Sequence, residues 1–216
     1  MAISSEWTTG EAFESSWSVA QIRAPFPDVV SALSKSRSYR DCRQTGPASE
    51  FCVPGDDFGP LVAYATSDAD WTYLECIWGA ISFAPLVRLS KNTATDLLVA
   101  NYFEDPGAMA YGHFRNGQLV EQFMTVDPEW PDTRGLDGKE KKWKMNSAKT
   151  QCIFGERDFV LNIEKNQFVD WWNDVANSLS VNIPYRCWTS WKGDDIVCAD
   201  IAEAPTLKDA HLFSAI

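Results

Sequence analysis

Four close carboxylate pairs stand out in the chain: Asp56-Asp57, Asp68 with Asp70, Glu104-Asp105 and Asp194-Asp195. Two acids this near each other can divide acid-base work or hold a divalent cation through their oxygens. Each pair lies in or beside a turn-rich stretch, however, where Asp is common because its side chain bonds nearby backbone amides. A calcium loop needs a longer run of oxygen ligands around a central glycine, and the sequence has none. Nucleophilic catalysis would need a base beside a thiol or hydroxyl, and the only histidines are His113 and His211. Neither is placed by sequence next to a candidate nucleophile.

Cys42, Cys52, Cys76, Cys152, Cys187 and Cys198 form no CxxC, and no histidines stand at metal-ligand spacing, so buried, reduced thiols are expected. The run G-L-D-G-K from Gly135 to Lys139 lacks the spacing of a phosphate loop. No cofactor and no metal are expected.

Charge carries more information. Nineteen Lys and Arg stand against thirty Asp and Glu, a formal net charge of −11. A surface of that sign repels nucleic acid and anionic lipid and speeds encounter with a basic protein. Lys139, Lys141, Lys142, Lys144 and Lys149 surround Trp143, a pattern that could stack and neutralise a nucleic acid. The acidic remainder favours a solvated loop, folded back on the molecule, over that contact. Ten tryptophans are present. Trp71, Trp78, Trp171 and Trp172 lie on patterned elements and are read as core, whereas Trp130, Trp143, Trp188 and Trp191 lie in irregular segments. Trp130 is set among Asp127, Glu129 and Asp132, an apolar anchor with an anionic rim.

The elements that would carry these residues follow from periodicity. Trp17 to Arg23 reads as a strand. Phe26, Val29, Val30 and Leu33 then make a helical stripe, and a long loop is expected after Ser34. Leu61 to Thr66 and Trp71 to Trp78 form a hairpin around Ser67 to Asp70, the second strand apolar on both faces. Phe83, Leu86, Val87 and Ser90 have helical spacing, with Ser82 as N-cap and Pro85 in the first turn. Thr95 to Met124 is a three-stranded meander whose Asn116-Gly117 turn supplies the positive φ angles of a type I′ hairpin.

Residues 125 to 150 break every period and read as a long loop. A short strand follows near Cys152 to Phe154. Phe168, Trp171, Trp172, Val175 and Leu179 mark a third helix, and Asp194 to Ile201 a last strand. The expectation is an α+β fold with a mixed or antiparallel sheet, a β-meander over about 95–124 and about three packed helices. It spans residues 1–216 as a single domain, with a subdomain division near residue 80 and a peripheral tail from about residue 205. No signal-peptide pattern and no run of eighteen apolar residues occur in the sequence, which reads as a cytoplasmic protein.

The run from Leu89 to Phe123, L-S-K-N-T-A-T-D-L-L-V-A-N-Y-F-E-D-P-G-A-M-A-Y-G-H-F-R-N-G-Q-L-V-E-Q-F, resembles the helix end, strand-turn-strand and hairpin of small acidic bacterial proteins. Many of these serve as immunity partners of polymorphic or contact-delivered toxins. W-S-V-A-Q-I-R and A-D-W-T-Y upstream fit the same resemblance, which covers roughly two thirds of the chain. It implies a cytosolic immunity protein that binds a basic toxin, such as a nuclease, and blocks its cleft without catalysis.

Asp68, Asp70, Glu104, Asp105, Asp127, Glu129, Trp130 and Asp132 are the expected contact residues, and the protein is expected to be a monomer or small homo-oligomer. Two alternatives stand beside this reading. One is an enzyme whose site joins distant carboxylates with Cys76 or His113. The other is an adaptor in a bacterial assembly, using Trp188 and Trp191.

Overall fold

The computed structural model describes residues 17–48, 52–54, 61–77, 81–103, 108–125, 134–155, 189–192, 195–198 and 207–215. Its elements run β1 (Trp17–Ile22), α1 (Phe26–Ser34), β2 (Tyr39–Pro47), β3 (Cys52–Pro54), β4 (Leu61–Thr66), β5 (Thr72–Ile77) and α2 (Ala84–Thr93). The meander follows as β6 (Asp96–Phe103), β7 (Ala108–Arg115) and β8 (Gln118–Thr125), and then β9 (Lys144–Met145) and β10 (Gln151–Phe154). Last come β11 (Thr189–Lys192), β12 (Asp195–Cys198) and β13 (Leu207–Ala215). The expected third helix lies outside the described residues. No described helix is long and apolar enough to cross a membrane.

Ten strands form one sheet in the order β2-β13-β4-β5-β1-β6-β7-β8-β10-β9, and β11-β12-β3 form a second, smaller one. Every described pairing is antiparallel, which resolves the choice between mixed and antiparallel. β1 lies at the centre, paired with β5 on one side and β6 on the other. One sheet therefore crosses the chain position near residue 80.

Two expectations are corrected. The loop expected after Ser34 contains β2, whose polar residues suit an edge strand that buries little. The tail expected to be peripheral is β13, inserted between β2 and β4 with Phe213 fully buried.

Both helices pack on one face. Val29 and Leu33 of α1 and Leu86 of α2 meet Ala20, Ile22, Leu61, Ala63, Leu74, Leu97, Val99, Phe114 and Phe213 in a common core. These strand residues alternate along their chains because successive side chains point to opposite faces. Ser82 does not cap α2; Phe83 holds that position. The Ser82 amide instead donates to Tyr39 Oη at 2.6 Å, and burial pushes the Tyr39 phenol up to about 12. α2 ends at Ala94 with φ of 54°, and the Asn116-Gly117 turn has the positive φ values its type requires.

Candidate functional site

The antiparallel register sorts the connections between two ends of the sheet. At one end lie Ile22, Thr66, Thr72, Asp96 and Arg115, because Ile22 pairs with Thr72 and Leu97, and Asp96 with Arg115. At the other lie Trp17, Leu61, Phe103, Ala108 and Thr125, because Trp17 pairs with Tyr102, Leu61 with Cys76, Phe103 with Ala108 and Ala110 with Met124. A six-residue strand separates the two ends by about 20 Å.

Asp68 and Asp70 sit at the first end, in the turn between β4 and β5. Asp68 Oδ1 accepts the Asp70 amide at 3.1 Å, and the Asp68 carbonyl accepts the hydroxyl of Thr66 at 2.6 Å. Asp68 therefore shapes the turn. Glu104, Asp105, Asp127, Glu129, Trp130 and Asp132 lie outside the described residues. The strands that lead into their segments all end at the second edge: β6 and β7 flank 104–107, and β8 leads into 126–133. Trp17 and Leu61 enter at this same end, preceded in sequence by Glu14 and by Asp56-Asp57. The sequence displays these acids, but only the register reveals that their strands share an end. From β4 to β8 is five strand spacings, about 24 Å.

The sheet face turned away from the helices is a second candidate. Val19, Val62, Leu98, Ala100, Phe123 and Ile153 are buried there together with polar groups. Glu75 is 1% exposed and receives hydrogen bonds from Tyr64 Oη at 3.2 Å and Tyr73 Oη at 3.4 Å. Tyr111 Oη reaches Glu121 Oε1 at 3.5 Å, and Glu121 is the cross-strand partner of His113. His113 Nε2 lies 2.8 Å from Asp96 Oδ1, the oxygen that also accepts Arg115 Nε at 3.0 Å. Exposure falls from Arg115 at 55% through Asp96 at 15% to His113 at 7%.

This network buries charge with partners supplied, as the low-dielectric interior demands. Sequence reading placed His113 in a strand but not beside Asp96, because 17 positions separate them. Cys76 is on the helix face, away from His113, and burial pushes its thiol up to about 12 with the neighbouring Glu75 charge adding to it. Cys76 and His113, each named for the enzyme alternative, point to opposite faces of the sheet. Among the described residues, no group of three or more His, Cys, Asp and Glu is placed to hold a metal ion.

The irregular segment after residue 133 folds against the helix face. The backbones of Arg134 and Glu140 form an isolated antiparallel β-bridge, the Leu136 amide donates to Gln122 Oε1 at 2.8 Å, and Lys141 Nζ pairs with Asp137 at 2.7 Å while lying 4.8 Å from the centre of the Phe154 ring. Trp143 packs edge-on against Phe154 at 6.3 Å. One of the basic residues expected to be solvated is thus tied down, by an acid of its own loop. Gly112 leaves room for this docking: a Cβ there would sit 2.7 Å from Leu136 Cδ1, and the leucine side chain would have to shift.

Comparison of the chain with family models, with curated proteins and with solved structures gives no match.

Proposed function

We propose that the protein is a cytosolic inhibitor of the immunity type, which binds a basic effector protein through the acid-bearing end of its ten-stranded sheet. The observation that carries this reading is the convergence of strand ends: β6, β7 and β8 lead into the segments of Glu104, Asp105, Asp127, Glu129, Trp130 and Asp132 at one edge. The width of about 24 Å across β4 to β8 suits a patch of standard interface size, about 800 Å² per partner. Carboxylates there would stand where a nuclease expects substrate phosphates, and Trp130 would slow dissociation, which long-range charge alone does not. Asp68 and Asp70 are left out of the contact set because they close a turn at the opposite end.

The test is charge reversal. Glu104→Lys with Asp105→Lys, and separately Asp127→Lys, should each lower the association rate with the effector at least tenfold at low salt. Asp68→Lys with Asp70→Lys should leave it within twofold. Equal losses from both sets would reject the assignment of the binding end.

One arrangement favours a second reading. Asp96, His113 and Glu121 meet on the buried face as an acid-base enzyme would require. His113→Gln separates the two: a binder keeps its neutralising activity, whereas an enzyme of this kind loses it.

A further inference from the structure

An open groove of about 830 Å³ lies on the helix side, between the first turn of α2, the start of β8 and the loop around Leu136. Its walls include Phe83, Val87, Leu119 and Leu136, and Arg88 and Lys139 stand on its rim. Both rim cations are exposed, and neither side chain makes an ion pair or hydrogen bond among the described residues. Lys141, also on the wall, is already neutralised by Asp137. The groove thus offers apolar side chains between two positive charges that pair with no acid among the described residues.

We infer that this groove is a second docking site, which takes a short acidic peptide segment carrying one apolar side chain. Charge complementarity selects the sign of the occupant, and the apolar side chains select its middle. The volume falls within the range of sites that enclose a drug-sized ligand, enough for roughly three to five residues. A long polyanion is disfavoured, because its flanking phosphates would meet a protein of net charge −11. The site is independent of the acidic sheet end: it uses described residues of opposite sign, and its failure would leave the inhibitor reading untouched.

The experiment uses the full chain and a fluorescein-labelled peptide, Asp-Glu-Phe-Glu-Asp, followed by anisotropy at low salt. Saturable binding with a Kd below about 1 mM is expected. It should weaken at least tenfold in Arg88→Glu with Lys139→Glu, and at least threefold when the peptide Phe is replaced by Gly. Lys35→Glu with Lys208→Glu changes the net charge equally at exposed positions outside the groove and should leave the Kd within twofold. Thermal melts within a few degrees of wild type confirm that the variants fold, as exposed substitutions should. The proposal is overturned by absent binding, by equal losses in the two double variants, or by indifference to the Phe-to-Gly change. Displacement of the peptide by an equal concentration of oligothymidylate also overturns it, in favour of a general anion surface.

Discussion

Replacing Phe213 by Ala removes the largest apolar contact of β13, the strand that joins β2 to the rest of the sheet. Phe213 is fully buried in the common core, with its ring centre 6.2 Å from Tyr39 in an edge-on contact and 4.7 Å from His211. A buried Phe→Ala change costs about 3–5 kcal/mol, within which the aromatic contact itself is worth about 0.5–1.5 kcal/mol. Domains of this size are stable by about 5–15 kcal/mol, so the loss is a large part of the total.

β13 is also the only described sheet neighbour of β2. The amides of residues 39–47 should therefore lose hydrogen-exchange protection in this variant before those of β6 and β7 do. Urea unfolding gives the first number and native-state exchange the second. Lys208→Ala, exposed on the same strand, serves as control and should fall within about 0.5 kcal/mol of wild type. A Phe213→Ala loss below about 1 kcal/mol, or undiminished protection of residues 39–47, would refute the placement of β13 inside the sheet.

Burial pushes the Cys76 and Cys152 thiols from 9 up to about 12, so above pH 9 the unfolded chain releases protons that the folded one keeps, and stability falls as pH rises through the window from 9 to 12. Each thiol should remove about 1.4 kcal/mol between pH 8 and pH 10, and the slope of unfolding free energy against pH should flatten in Cys76→Ala with Cys152→Ala; an unchanged slope contradicts their burial. Gly117 has φ of 72°, and a Cβ there would lie 2.5 Å from Lys91 Cβ and 3.1 Å from the Val87 carbonyl oxygen, so Gly117→Ala should cost about 2–5 kcal/mol by denaturant titration. Gly138, with φ of 74° and open space around it, isolates the backbone strain: Gly138→Ala should cost about 1–2 kcal/mol, and equal losses at the two glycines would mean that the hairpin does not press on α2.

Sequence patterning located the elements that have regular periods. β4 was read with its observed bounds, α1 through its i, i+3, i+4, i+7 stripe, and the meander through Asn116-Gly117 and the alternation on either side. β2 was hidden because an edge strand keeps Arg40 and Thr45 exposed, leaving no apolar alternation to read. β13 was hidden by its irregularity: its register shifts between Leu207 and Ala210, so buried residues fall an odd number of positions apart and the period of two disappears.

The proposed binding face was legible only as composition. Acids at 104–105 and 127–132 are visible in one dimension, whereas the antiparallel register that brings their strand ends to one edge depends on long-range pairing. The buried polar face was missed for a related reason. Cover on both faces is legible for the strand of Tyr73 and Glu75, but the contacts of Tyr64 with Glu75 and of His113 with Asp96 join residues 11 and 17 positions apart and depend on the register.

The central claim is that the acid-bearing sheet end neutralises a basic effector. Its most direct test is growth rescue on co-expression with any secreted multidomain effector that the neighbouring upstream gene is found to encode, comparing wild type with the Glu104→Lys, Asp105→Lys, Asp127→Lys triple variant. The account predicts full rescue by wild type, loss of rescue by the triple variant and full rescue by Asp68→Lys with Asp70→Lys. Rescue that survives reversal of all three acids, or an effector that wild-type protein leaves fully toxic, would contradict it.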